Sequence, residues 1–177
     1  MNEIATRFSQ VFWGLLLVVL DVRINRFDIL PDFIGYILVA VGLGGLISLS
    51  PQFATACTCA WVLVPVAVVG LLPYRELAVV IELVNLGLGC VMMWCLLGGI
   101  MDYSIARDRP DLAERASTRR VAYVALMCAA TLLGFVARGI GRPAVPLVVI
   151  AVVCLLVLLI MILHLIHRVK TELATPA

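Results

Sequence analysis

Six stretches of the chain are almost continuously apolar, and short polar segments separate them. They cover residues 8–22, 31–49, 54–72, 77–101, 121–137 and 145–166. A helix needs about 20 mostly apolar residues to cross the roughly 30 Å hydrocarbon layer of a bilayer. The pattern therefore predicts an all-α integral membrane bundle of six transmembrane helices. It would form a single domain, residues 1–177, in which the spans pair as three helical hairpins.

The first apolar stretch is the shortest of the six. Its strictly apolar part, residues 11–20, would rise only about 15 Å as a helix. The polar turn that follows is therefore expected at the membrane boundary or below it. Whether this first span crosses the bilayer fully stays open at this point.

The composition supports lipid, not water, as the main solvent of this chain. Hydrophobic residues make up 64%, charged residues 14%, and the mean hydropathy is +1.15. Soluble domains are typically about 45–50% apolar and about 25% charged. A net charge of +2 is too small to indicate a nucleic-acid partner, so the lipid bilayer is the expected partner.

Basic residues are unevenly divided between the two sides of the predicted bundle. With six spans, the side that carries both termini has eight Arg and Lys residues, and the other side has five. Basic residues favour the cytoplasmic side, so both termini are expected in the cytoplasm. The opening MNEIATRFSQ lacks a clear basic region, so no cleavable signal peptide is expected.

The turn between the first two spans, DVRINRFDILPD, carries many charges in apolar surroundings. Leu30 precedes a proline and is biased away from helix, so Pro31 can begin the second span. Asp32 then lies in the first turn, where the helix dipole favours a carboxylate. The other charged residues of the turn are Asp21, Arg23, Arg26 and Asp28.

Two interpretations of this outer-leaflet polar turn remain open. Its acids and arginines could form ion pairs with one another and so stabilise the hairpin. Alternatively, they form a hydrated site for a small solute, a proton or a phospholipid headgroup, because ionised groups at membrane depth must pair or contact water. Glu82 and Asn85, three residues apart on one helix face, would join such a site. The candidate ligand-binding residues are Asp21, Arg23, Arg26, Asp28, Asp32, Glu82 and Asn85.

The cysteines and histidines favour neither a metal nor a cofactor. All six cysteines lie inside apolar runs, where a free thiol packs as a small hydrophobic group. His164 and His167 stand three residues apart at the cytoplasmic end of the last span, on the opposite side from the acids. Basic groups are favoured at a helix C-terminus without any ligand, so no metal site is predicted there.

The longest polar connection, residues 102–120, is predicted to contain a short cytoplasmic helix. Pro110 suits the first helical turn, with Asp111 and Glu114 near the positive end of the helix dipole. Arg119 and Arg120 would close this helix at the membrane. The sharper alternative is that the connection docks a partner or an anionic lipid. The candidate contacts are Arg115, Arg119 and Arg120.

Small residues occur with four-residue spacing in several spans, as at Ala40 and Gly44. Such spacing lets two helix backbones approach closely. Packing inside one bundle and assembly of a homo-oligomer explain the pattern equally well.

The polar turn and the start of the second span resemble a known sequence pattern. The chain is similar there to a group of small, uncharacterised bacterial polytopic membrane proteins. These share a stretch of the form NxFD[IL]LPDxIGY between their first two spans, followed by a glycine-rich span. The resemblance covers residues 12–53, including the junction SLSPQF. It implies a multi-pass protein of the bacterial cytoplasmic membrane and adds no catalytic residue. The matching positions are Asn25, Phe27, Asp28, Ile29, Leu30, Pro31, Asp32, Phe33, Ile34, Gly35 and Tyr36.

Three functions compete. The favoured one is a non-enzymatic protein that binds or moves a small solute, a proton or a lipid headgroup at the outer polar turn. The second is a scaffold or assembly factor that docks a partner through residues 102–120. The third, a lipid-modifying membrane enzyme, is the weakest, because such enzymes usually combine acids with histidines or a metal, and here these lie on opposite sides.

Overall fold

The computed structural model describes residues 3–19, 23–24, 27–28, 32–70, 78–140 and 145–173. These residues form six α-helices, one short 3₁₀ helix and a two-stranded ribbon. The helices are α1 Glu3–Val19, α2 Asp32–Gly44, α3 Pro51–Gly70, α4 Ala78–Ile105, α5 Pro110–Ile140 and α6 Val145–Glu172. The 3₁₀ helix is Ile47–Leu49, and the strands are β1 Arg23–Ile24 and β2 Phe27–Asp28.

Each helix packs against the next along the chain, and α6 returns to pack against α1. One end of this closed bundle, the turn end, holds the start of α1, the 3₁₀ helix, the α4–α5 connection and the end of α6. Lys170 Nζ donates to Ser9 Oγ at 3.2 Å there, and the Tyr103 hydroxyl donates to the Leu173 carbonyl at 3.2 Å. The opposite end, which carries β1 and β2, is the hairpin end.

The all-α prediction is confirmed, and the membrane prediction is supported at a coarser level than six spans. Three of the described helices are long and apolar enough to cross a membrane: Pro51–Gly70, Val79–Ile105 and Val149–Glu172. Helix α2 is apolar but shorter. Large apolar side chains cover much of the outer surface, and Leu132, for example, is 66% exposed. The described bundle is therefore compatible with a membrane protein.

The prediction of a separate short helix before residue 121 is wrong in one respect. Helix α5 does begin at Pro110, with Asp111 in its first turn, as predicted. It does not end at Arg119 and Arg120, however, but runs without a break to Ile140. No proline or glycine interrupts the chain from Asp111 to Arg120, so nothing in the backbone stops the helix at the polar-to-apolar boundary.

The α4–α5 connection is a tight turn with a Schellman geometry. The Asp108 N–H donates to the Ile105 carbonyl at 3.1 Å, and the Arg109 N–H donates to the Ser104 carbonyl at 2.9 Å. These bonds satisfy the last carbonyls of α4. Asp108 has a φ of 54°, so it takes the left-handed position where glycine is the usual residue. The turn reverses the chain within four residues and aligns α5 beside α4.

The backbones of helices α1 and α2 approach each other closely at two glycines. A Cβ added at Gly14 would lie 2.7 Å from the Val39 backbone nitrogen and 2.8 Å from the Gly35 carbonyl oxygen. A Cβ at Gly35 would likewise lie 2.8 Å from the Gly14 carbonyl oxygen. Gly44, which the four-residue spacing singled out, has open space around it instead. Close packing of small residues is thus real, but it uses Gly14 and Gly35.

Candidate functional site

The predicted polar turn is an antiparallel ribbon as far as the structure describes it. Strand β1 pairs with β2 so that Arg23 stands opposite Asp28, and Ile24 opposite Phe27. Directly opposed residues of opposite charge are favourable cross-strand neighbours. Asp21 and Arg26 lie outside the described residues. The ionic pairing of this turn therefore stays a prediction, and the structure supplies the backbone register that would permit it.

Asp32 lies in the first turn of α2, as the sequence predicted, and a buried polar group lies one turn further on. The Tyr36 side chain is only 6% exposed. Its hydroxyl lies within hydrogen-bonding reach of the Asn85 amide, and the Asp32 charge is close enough to act on it. The Asn85 Oδ1 atom is buried and accepts no hydrogen bond within the described part of the chain. Two predicted site residues, Asp32 and Asn85, are therefore brought together around Tyr36.

Glu82 borders a different part of the bundle from Asn85, although both residues lie on α4. It lines a cavity of about 260 Å³ between α4, α5 and α6. Ala130, Thr131 and Gly134 of α5 line the same cavity, together with Leu155 of α6. Thr131 Oγ1 already donates to a backbone carbonyl of its own helix, that of Met127. The cavity wall is otherwise made of aliphatic side chains, so Glu82 is a polar group at an apolar space.

A second cavity, of about 290 Å³, adjoins the first. Tyr36 and Tyr123 contribute hydroxyl-bearing rings to it, and Met92 and Met93 contribute flexible apolar walls. Leu155 lines both cavities, so one side chain stands between them. Together they give this part of the bundle two neighbouring apolar spaces, each with one or two polar groups on its wall.

A polar network at the turn end was missed by the sequence analysis. Ser50 Oγ donates to Asp102 Oδ2 at 2.6 Å, and Gln52 Nε2 donates to the same oxygen at 3.2 Å. Arg120 Nη2 donates to Gln52 Oε1 at 3.4 Å. The Arg120 guanidinium also lies 3.8 Å from the centroid of the Trp94 ring, which is a cation–π contact. The network ties together α3, α4 and α5.

The sequence signal for this network is weak. Ser50 and Gln52 belong to the SLSPQF junction, and Asp102 follows the apolar part of α4. A carboxylate and a hydroxyl some 50 positions apart have no periodic relation that a single sequence could show. Gly98 is part of the arrangement, because a Cβ added there would overlap the Gln52 amide. The residues therefore act as one packed unit at this end of the bundle.

The three predicted contact arginines have unequal environments. The Arg120 side chain contacts Gln52 and Trp94. Arg115 is exposed, whereas Arg119 is half-buried. Burial, together with the nearby charges of Arg115 and Arg168, lowers the pKa of Arg119 from its ordinary value. The Arg119 Nη1 atom is buried and makes no hydrogen bond to any described residue. Arg115 and Arg119 therefore remain candidate contacts, and Arg120 acts within the chain.

One ion pair fixes the end of α6 to the start of α5, and two local ion pairs support it. Arg109 contacts Glu172 in a short ion pair, and Arg168 Nε lies 2.6 Å from Glu172 Oε1. Arg109 also binds Asp111, with Nε 2.9 Å from Oδ1. These hydrogen bonds lower the pKa of Asp111 from its ordinary value. Arg168 is thereby held on the face of α6 that meets α5.

His164 is exposed, and the ring of His167 lies 6.2 Å from that of Phe12. Within the described ranges, no group of three or more histidine, cysteine, aspartate or glutamate residues is placed to hold a metal ion. The candidate polar sites of the described bundle thus include the Tyr36–Asn85 contact, the Glu82 cavity, the turn-end network and the arginines beside it.

The fold and these sites define the class of the chain as an α-helical bundle with apolar helices long enough for a membrane. Comparison with protein-family models, with curated proteins and with solved structures finds no match for this chain. Its function is therefore inferred from the geometry of the described bundle.

Proposed function

We propose that this chain is a multi-pass protein of the bacterial cytoplasmic membrane in which all six helices cross the bilayer. Both termini and the turn end would lie in the cytoplasm. Eight Arg and Lys residues would then be cytoplasmic and five would lie outside, which agrees with the usual bias of basic residues. Helix α1, with 17 residues, would rise about 25 Å. That length spans most of the hydrocarbon layer and leaves the charged hairpin at the outer boundary.

The protein's role, we propose, is non-enzymatic binding of a membrane lipid in the outer half of the bundle. The supporting observation is the cavity of about 260 Å³ between α4, α5 and α6. Its volume lies just below the range of roughly 300–1,000 Å³ that is typical of ligand pockets. Aliphatic walls suit an acyl chain, and Glu82 with Thr131 suits the polar end of the same molecule. A polar solute would lose hydration in this cavity with few groups to replace it.

The charged residues of the hairpin would contact the headgroup of this lipid at the membrane surface. Arg23 and Asp28 oppose each other in the ribbon, and Asp32 begins the neighbouring helix. A lipid whose chain occupies the cavity would carry its headgroup toward this end of the bundle. Arginine is well suited to a phosphate group because its planar donors bind two oxygens at once. The polar turn would then serve as the headgroup contact.

The test is photochemical labelling of the purified full-length protein in lipid nanodiscs. A phosphatidylethanolamine with a diazirine in its acyl chain is expected to label the segments of α4, α5 and α6 that line the cavity. Replacing Ala130 by leucine fills the cavity, displaces about two methylene groups at about 0.8 kcal/mol each, and should lower this labelling by roughly tenfold.

Ala129 provides the matched control for that experiment. It precedes Ala130 on α5 but faces outward and does not line the cavity. Ala129→Leu should therefore leave the labelling of the cavity peptides unchanged. Equal labelling of the wild type and of Ala130→Leu, with both proteins monodisperse and equally helical, would refute lipid binding at this site.

A second candidate function, a scaffold that docks a partner at the turn end, is favoured by one observation. The first turns of α5 extend beyond its apolar part and expose Glu114 and Arg115. We propose this as the alternative to lipid binding. A partner protein that co-purifies with the wild type and is lost in Arg115→Gln would support it, and an unchanged set of bound proteins would count against it.

A further inference from the structure

Three arginines form a cationic cluster at the turn end, which we call the arginine cluster: Arg115, Arg119 and Arg168. Arg115 and Arg119 are four residues apart on α5, so they share one face of that helix. Arg168 stands on the neighbouring helix α6, where Glu172 holds its side chain at 2.6 Å. Helices α5 and α6 pack against each other. The cluster thus presents basic groups from both helices to a common surface.

The cluster has unused hydrogen-bonding capacity. Neither Arg115 nor Arg119 is ion-paired with a carboxylate among the residues that the structure describes. The Arg119 Nη1 atom is buried with no hydrogen-bond acceptor in the same set of residues. A buried donor without an acceptor is costly, and more so when it is charged. An anionic oxygen placed between the two helices would supply the missing acceptor.

The position of the cluster relative to the apolar surface indicates what kind of anion it meets. Immediately beyond Arg119 and Arg120, Val121 is 58% exposed. On α6, Ile160 is 56% exposed and Met161 45% exposed, about two turns before Arg168. The basic groups therefore border a surface that needs an apolar solvent. This is the level at which a phospholipid changes from acyl chain to headgroup.

We infer that the arginine cluster binds the phosphodiester group of an anionic phospholipid in the cytoplasmic leaflet. The guanidinium forks of Arg115 and Arg119 bind the phosphate oxygens, and Arg168 adds charge from the side of α6. The acyl chains lie along the exposed apolar residues beyond the cluster. This site is separate from the cavity of the proposed function and does not depend on it.

A free phosphate would satisfy the same donors, but it would leave the adjoining apolar surface uncovered. A lipid satisfies both parts of the surface in one molecule, and each basic residue near an anionic membrane contributes about 1 kcal/mol. The proposal therefore commits to a membrane lipid. Inorganic phosphate and a docked protein enter the experiment as competing outcomes.

The experiment measures binding of phosphatidylglycerol to the delipidated full-length protein in detergent, by native mass spectrometry and by thermal stabilisation. Phosphatidylcholine and inorganic phosphate are measured in parallel. Phosphatidylglycerol is expected to bind more tightly than phosphatidylcholine and to raise Tm further, whereas inorganic phosphate should have little effect. The double variant Arg115→Gln with Arg119→Gln should weaken phosphatidylglycerol binding by about tenfold or more, since two charges are removed at about 1 kcal/mol each.

Arg107→Gln is the matched control, because it removes the same charge from the same end of the bundle. Arg107 lies over the Tyr103 ring, 5.3 Å from its centroid, and outside the cluster. Its phosphatidylglycerol binding should equal that of the wild type. A second variant, Arg119→Lys, keeps the charge and loses the fork, so it guards against misfolding and should give an intermediate affinity.

Three outcomes would overturn the assignment. The first is unchanged phosphatidylglycerol binding in the double variant, which would also be the result if the cluster docks a protein. The second is equal stabilisation by inorganic phosphate, which would make the site one for a free anion. The third is equal binding of phosphatidylcholine and phosphatidylglycerol, which would remove the role of charge.

Discussion

Replacing Gly14 by alanine is expected to destabilise the bundle strongly, because the added methyl group meets the backbone of a neighbouring helix. The new Cβ would stand 2.7 Å from the Val39 nitrogen and 2.8 Å from the Gly35 oxygen. Both are backbone atoms, so relief requires α1 and α2 to move apart. Overpacking of this kind costs about 1–3 kcal/mol, which lowers Tm by roughly 2–12 °C in a chain of this length. Thermal unfolding of the purified protein measures this change in Tm.

Gly87 is the matched control for this prediction. It lies inside α4 with no heavy atom within 4 Å of an added Cβ. Alanine there reduces the backbone entropy of the unfolded chain and adds about 0.5–1 kcal/mol of helix stability. Gly87→Ala should therefore leave Tm unchanged or raise it slightly. If Gly14→Ala has the same effect as Gly87→Ala, the close approach of α1 and α2 is incorrect.

Replacing Asp102 by alanine should have a comparably large effect, because it removes the acceptor at the centre of the turn-end network. Ser50 Oγ and Gln52 Nε2 both donate to its Oδ2 atom. A hydrogen bond to a charged group contributes about 1.5–3 kcal/mol, and a stranded buried donor costs a similar amount. We expect a loss of about 2–3 kcal/mol in the free energy of unfolding.

A double-mutant cycle separates this network from a general effect of removing an acid. Ser50→Ala and Asp102→Ala should show an interaction energy of about 1 kcal/mol, because the two side chains share a hydrogen bond. Glu114→Ala is the control: its side chain is exposed on α5, and it should change stability by no more than about 0.5 kcal/mol. Additive losses at Ser50 and Asp102 would contradict the network.

The sequence alone predicts the helices because their signals are local. Long apolar runs mark α3, α4 and α6, and the residues ILPD mark the start of α2 at Asp32. Pro110 and Asp111 mark the start of α5 in the same way. Each of these features depends on one short stretch of chain. These features can therefore be recognised without knowledge of the neighbouring helices.

Most features that the sequence analysis missed or misplaced depend on a second helix. Gly14 has no distinguishing pattern until the backbone of α2 is brought against it. Arg120 is predicted as a surface contact, yet it reaches Trp94 and Gln52 on two other helices. The prediction that a helix ends at Arg119 and Arg120 assumed that a helix stops where the chain changes from polar to apolar. Such a change alters the solvent around the helix but does not break its backbone hydrogen bonds.

The candidate site could be predicted from the sequence only in part. Asp32 and Asn85 are named from charge and polarity, and the structure brings both near Tyr36. The cavity beside Glu82 could not be predicted, since it depends on small residues at Ala130 and Gly134 facing α4. Polar residues in apolar segments are conspicuous in a sequence, whereas empty space between helices has no sequence signal of its own.

The most direct measurement is an experimental density map of the protein in lipid nanodiscs, at a resolution that shows bound lipids. Lipid binding in the outer half of the bundle predicts an elongated density between α4, α5 and α6, beside Ala130 and Gly134, with its polar end at Glu82 and Thr131. A cavity closed by side chains, or one that contains only water, would contradict the account.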